Sequence, residues 1–326
     1  MGGKAIRIGI PLAAAVAVAA LPFVMNDTFL LKVFTYVGIN VIVVTGLALL
    51  FGYAGQVSLG HSAFVGIGAY TCALVSVRAH APWPVAFVAA GLVAGVGGMV
   101  LALPSLRLRG HYLAMATLAF GELASLAFAE ATPITGGVDG FSGIPFPSVG
   151  PWVIRSAPGL YWLVWGVAGL ALLFAANLVS LRPGRAMRSV HGSELGAQAC
   201  GVDVVGVKVR AFVLSAVLAG LAGALYASVI GFISPSVFTV AASVTYLAMA
   251  VIGGTGSLAG PVVAAALLTL LTYLDALIPG ISRQAAQTVQ SLQADVYGLA
   301  IILVVLFAPG GIGAVWRMRS GAGERP

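Results

Sequence analysis

Apolar runs near residues 8–25, 29–51, 61–79, 84–103, 111–130, 159–180, 211–232, 240–252, 258–278 and 293–309 take up most of this 326-residue sequence. A helix needs about twenty apolar residues to cross roughly 30 Å of hydrocarbon, and most of these runs reach that length. Hydrophobic residues make up 60% of the chain and charged residues 8%, whereas soluble domains carry charge on about a quarter of their residues. The expected fold class is therefore all-α: a polytopic integral membrane protein of about ten transmembrane helices. The run 240–252 is too short to span without its neighbours and reads either as part of a span or as a re-entrant segment. Lys4 and Arg7 precede the first run, and Ala17-Val18-Ala19 has the small-x-small look of a cleavage site. A retained first span is the preferred reading, with a cleaved leader as the alternative.

The placement of positive charge orients these spans. With the N-terminus inside, Lys4, Arg7, Arg107, Arg109, the basic residues of 182–210, Arg317, Arg319 and Arg325 share one side. Only Lys32, Arg78, Arg155 and Arg283 fall on the other. Basic residues accumulate on the cytoplasmic side, so both termini are expected inside. The net charge of +7, which in a soluble protein would suggest nucleic acid or acidic lipid, then reports topology. Cys72 lies in a span and Cys200 in a cytoplasmic loop, so no disulfide is expected.

The longest polar and basic break is Arg182–Arg210, with Arg182, Arg185, Arg188, Lys208 and Arg210 against Glu194 and Asp203. Pro183 and Gly184 are read as stopping the incoming helix. Ser193 suits the N-cap of a new one, Glu194 its positive end, and Gly201 a left-handed stop. A helix over 194–200, about 10 Å long, should lie outside the bilayer. It is either a lever for another protein or part of an inert loop that fixes topology. On the outer side, 131–158 is rich in Gly, Pro and Ser and should be partly irregular; it faces where a delivering protein would dock, or is a turn set by Gly136, Gly137, Gly140 and Gly143. The connection 279–292 carries Gln284, Gln287, Gln290 and Gln293 at helical spacing and reads as an interfacial helix.

Several of these stretches carry a resemblance. GRAMRSVHGSELGAQACGVDVVGVKVRAFVLSAVLAGLAGALYA (184–227), GYAGQVSLGHSAFVGIGAYT (52–71), TGGVDGFSGIP (135–145), VIGGTGSLAGP (251–261) and LFAPGGI (306–312) occur in family order. They resemble permease subunits of branched-chain amino-acid ABC transporters, the LivM type. One departure is His191-Gly192-Ser193, where the family usually has an Arg-Glu-Asn type run. The resemblance implies a single permease domain over 1–326 that pairs with a LivH-type second permease. It also implies two cytoplasmic ATPase subunits that bind the ATP, and a periplasmic or surface-anchored binding protein. Arg185, Glu194, Ala197 and Gly201 would then form the ATPase-coupling segment. No cofactor of the chain's own is implied. The substrate would be leucine, isoleucine or valine, with urea, short amides and other amino acids as alternatives, because the binding protein largely sets specificity.

Glycine placement suggests a path. Gly52, Gly55 and Gly60 interrupt one apolar stretch and Gly253, Gly254, Gly256 and Gly260 another, each with a Ser-Leu pair. Such glycines either break helices where a watery cavity satisfies the backbone, or let spans pack closely. Gln56 and Ser58, with Thr255 and Ser257 opposite if the two breaks meet, are the polar groups best placed to line a path. Glu122 sits mid-span in 111–130, where an acid is costly; it is a further candidate for the path, or else makes a helix–helix hydrogen bond, and is expected to face the bundle, protonated or paired. Arg107 and Arg109 are about 20 Å away along a helix, so its partner should come from another span.

Other chemistries lack their residues. There is no Gly-x-x-x-x-Gly-Lys-Ser/Thr loop, and His61, His80, His111 and His191 lack ligand spacing. An ion-coupled secondary transporter would rely on Glu122, Asp275 and Asp295. A membrane enzyme would need clustered catalytic groups.

Overall fold

The computed structural model describes residues 20–23, 27–105, 111–273, 298–299, 306 and 311. Most of the expected spans 8–25 and 293–309, the 279–292 helix, Arg107, Arg109, Asp275, Asp295 and most of the 306–312 motif lie outside the described residues.

Ten helices organise the described chain: α1 Thr28–Leu47, α2 His61–Val77, α3 Trp83–Ser105, α4 His111–Glu130, α5 Ala157–Ser180, α6 Arg182–Gly192, α7 Glu194–Ala199, α8 Val204–Ile230, α9 Val240–Gly253 and α10 Ala259–Thr272. Among the described residues, six apolar stretches are long enough to cross a membrane: Thr28–Tyr53, Trp83–Leu103, His111–Glu130, Ala157–Ser180, Val204–Ile230 and Pro235–Gly253. The short run at 240–252 reaches that length by joining the turn before it. α2 and α10 are apolar but shorter.

Small residues set the packing. α8 packs most extensively against α3 and α2, because Gly220 and Gly223 let its backbone meet theirs. A methyl group added to Gly223 would lie 1.9 Å from the Val65 carbonyl oxygen, and one on Gly68 2.1 Å from that of Gly220. Gly220 itself faces Ala94 and the Ala90 carbonyl. Association inside lipid gains little from hydrophobic burial, so close backbone approach supplies the contact. α1 lies across this core against α5 and α8. Trp165 Nε1 donates to the Phe34 carbonyl at 3.1 Å, and Asn40 Nδ2 to Thr269 Oγ1 of α10 at 2.8 Å.

The connection after α4 is more ordered than its composition suggests. A single helical turn, Thr132–Thr135, is followed by β1 (Phe141–Ser142) and a small hairpin of β2 (Ser148–Val149) and β3 (Trp152–Val153). β1 pairs antiparallel with β4 (Phe232–Ile233), just after α8. Gly136, Gly137, Gly140 and Gly143 all hold positive φ, which makes these turns possible. Arg78, at the end of α2, donates to the Pro133 carbonyl and stacks over Phe141, 5.8 Å from the ring centre.

Candidate functional site

The 182–210 segment contains two helices where the sequence suggested one. α5 ends at Ser180, but Pro183 and Gly184 begin α6. Proline fits there because first-turn N–H groups have no intrahelical acceptor. Gly184 is required because a methyl group on it would stand 2.3 Å from the Val179 carbonyl oxygen. Gly184, Met187 and Val190 form the buried stripe of α6. α7 follows as expected: Ser193 Oγ accepts from Gly196 N at 3.1 Å, and Gly201, at φ +77°, reverses the chain. Asp203 caps α8 by accepting from Gly206 N at 3.0 Å.

Both glycine-marked breaks are real. α1 loosens into a π-helical turn, Ala48–Tyr53, and Gly55 turns left-handed at φ +68°. Pairing of the Gln56 N–H with the Leu50 carbonyl then ends the coil. The start of α2 is held by neighbouring spans: Thr117 Oγ1 of α4 accepts from Leu59 N at 3.0 Å, and Ser243 Oγ of α9 accepts from Ser62 N at 2.9 Å. Backbone groups at a break inside hydrocarbon need such partners. Gly60 and Gly121 meet backbone to backbone, since a methyl group on Gly60 would lie 2.1 Å from the Thr117 carbonyl oxygen. The second break falls between α9 and α10, where Gly254 and Gly256 have φ +89° and +74°. Gly253 sits against Pro261, so the two helices form a tight pair. A methyl group on Gly52 would lie 3.9 Å from Gly256 N and Thr255 Cα, so the two breaks adjoin.

The 182–210 segment touches the first break directly. His191, near the end of α6, packs on Gly55; a methyl group there would be 3.2 Å from His191 Cγ. Arg188 lies over the Tyr53 ring, 6.0 Å from its centre. A cavity of about 410 Å³ opens at this junction, lined by Gly55, Gln56, Leu113, His191, Glu194 and Lys208 among others. Lys208 Nζ pairs with Glu194 Oε1 at 2.5 Å, tying α7 to α8; the Lys208 side chain is 9% exposed and that of Glu194 30%. Just inside, Gln56 Oε1, Ser58 Oγ and His61 Nδ1 are buried and have no hydrogen-bond partner among the described residues. His61 Nε2 is 3.5 Å from Ser215 Oγ of α8. Buried polar atoms without partners are uncommon, and three of them fall within six consecutive residues.

The profile of the branched-chain amino acid transport system / permease component family matches residues 29–308. This chain belongs to that family. The permease is 32% identical over 297 residues to the high-affinity branched-chain amino acid transport system permease proteins LivM of Salmonella typhimurium and Escherichia coli. Those matches cover 84% of the permease and 67% of each relative. A probable branched-chain amino acid transport permease protein LivM of Methanocaldococcus jannaschii is 28% identical over 143 residues, covering 43% of the permease and 41% of the relative. No solved structure gave a significant match. The permease is thus an all-α membrane protein and a transport component.

One site expectation needs correction. Glu122 does not face the bundle. It is exposed on α4, whose buried stripe is Leu113, Thr117, Gly121 and Phe128. That stripe contains the residues that hold α2, and on a 3.6-residue helix Glu122, one position past Gly121, is carried off it. Ala197 is buried at 3% exposure and serves the inward face of α7, while Leu195 is exposed at 70%. Arg185 is exposed. Sequence reasoning missed His191 and Lys208 at the junction, and His61 beside Ser58. The signal available for Lys208 was a lysine in the first turns of an apolar helix, fourteen residues after an acid.

Proposed function

We propose that the permease is half of the pore of an ATP-binding-cassette importer that carries branched-chain amino acids across the cytoplasmic membrane. It would pair there with a homologous LivH-type permease, two cytoplasmic ATPases bearing the nucleotide, and an external binding protein that delivers substrate. Both termini lie inside in this reading, because the basic 182–210 segment belongs on the cytoplasmic side. The observation that carries it is the junction of α6 and α7 with the break after α1. An ATPase pushing on Leu195, Arg185 and the turn at Gly201 moves two helices tied to the spans at separate points. One is His191 against Gly55. The other is the Glu194 pair with Lys208 of α8, the helix on which α2 and α3 pack. A push is therefore felt at both ends of the Gly52–Gly60 break. Gln56, Ser58 and His61, together with Thr255 and Ser257 of the adjoining break, are assigned to the path. The buried hydrogen-bonding groups of Gln56, Ser58 and His61 supply weak polar contacts to a passing substrate. The LivM names of the relatives support leucine, isoleucine and valine as that substrate.

Reconstitution in liposomes with the cognate ATPases, second permease and binding protein tests this. Leucine uptake should require ATP inside the ATPase compartment and the binding protein outside. Uptake driven by an ion gradient without ATP would overturn the importer reading, and ATP-driven uptake of urea or short amides in place of leucine would reassign the substrate.

A further inference from the structure

The long helices of the permease carry few charges, and where these lie is informative. Among the described residues, Lys32, Glu130, Lys208 and Arg210 lie within six positions of a helix end, where long side chains reach the interface. Glu122 lies eleven residues from one end of α4 and eight from the other. It is exposed, on a face made with Tyr112, Met115, Leu118, Leu123 and Leu126. The exposed faces of α3 and α5 have no such group mid-span. That of α3 runs through Val85, Val88, Leu92 and Val96, and that of α5 through Trp162, Leu170, Leu173 and Phe174. Those faces suit lipid. A carboxyl group at the centre of α4 does not, because intramembrane acids turn to protein partners or to water.

We propose that the Glu122 face of α4 is the surface covered by the second permease subunit, and that the Glu122 carboxyl takes a hydrogen-bond donor or cation from a span of that subunit. This rests on the importer reading above. The neighbours of Glu122 on this face are large and mostly apolar, and a single polar group within an apolar helix surface is a pattern by which membrane helices fix a partner. The inner side of α4 holds the start of α2 through Thr117 and Gly121. The second subunit would therefore press on the helix that braces the Gly52–Gly60 break, which puts that break next to the subunit boundary.

The test uses the full complex in native membranes. A photoreactive benzoylphenylalanine at Leu123 should yield an adduct containing the second permease, and the same residue at Leu170 on α5 should not. Glu122→Leu should lower the second permease recovered per permease extracted by about threefold, the change an ordinary transmembrane hydrogen bond gives. Glu122→Gln, which still bonds, should lose less. An adduct confined to lipid or to the permease itself, or undiminished recovery with Glu122→Leu, would overturn the proposal. A parental permease that recovers no second permease at all would instead overturn the importer reading, and this inference with it.

Discussion

Gly223 has no room for a side chain, since a methyl group there would stand 1.9 Å from the backbone oxygen of Val65. Gly166, on the exposed face of α5, has nothing within 4 Å. Gly223→Ala must push α8 off α2, a strain of about 1–3 kcal/mol by the usual cost of overpacking. Gly166→Ala should be neutral or slightly favourable, because alanine is the better helix former. Thermal unfolding of the two variants in detergent should show a clear loss for the first alone, and equal midpoints would mean that the α8–α2 contact is looser than described. Nothing in the sequence separates these two glycines. Each sits in an apolar run, and only the neighbouring helix distinguishes them. The same holds for Glu194 and Lys208, whose pairing needs α7 folded back along α8.

α7 is the element most legible in advance, because its caps are local. Ser193 bonds three residues ahead and Gly201 supplies a left-handed turn with no help from elsewhere. α6 was hidden because Pro183 is as much at home in a first helical turn as after a last one. If α7 is a lever, Leu195→Arg and Gly201→Val should leave membrane insertion intact while uncoupling the ATPases. Leu195 is exposed, so the change alters only what docks on it. At Gly201 nothing lies within 4 Å, so the cost of Val comes from the backbone at φ +77°. Substrate-stimulated ATP hydrolysis in the reconstituted complex should fall by about tenfold, equivalent to about 1.4 kcal/mol of lost coupling. Hydrolysis and uptake at parental rates in both variants would reduce the segment to a topological loop.

At the scale of the whole molecule, the orientation is testable by labelling. With Cys72→Ala and Cys200→Ser as background, single cysteines at Ser193 and Ser148 should react with an impermeant thiol reagent only from the cytoplasm and only from outside, respectively. Reaction of both from one side would remove the ten-span arrangement. That the chain is built of long apolar helices was legible in the sequence alone, although among the described residues six reach a membrane-crossing length and α8 begins seven residues before the expected 211. Hydrocarbon admits only long apolar stretches that satisfy their own backbone, and this constraint acts on each segment separately. α4 was read at 111–130 and found there, and α1 and α5 began within two residues of expectation. The glycine clusters were legible but not their role, since the sequence left open whether they break helices or let spans pack closely; the structure shows both, with positive φ at Gly55, Gly254 and Gly256 and close backbone contact at Gly60 and Gly253. The tertiary structure alone decided which breaks adjoin, which side of α4 Glu122 takes, and where His191 and Lys208 land. Each of those depends on which helices are neighbours, and spans that are all apolar choose neighbours by the fit of small residues across many turns, a pattern that periodicity along one chain does not contain.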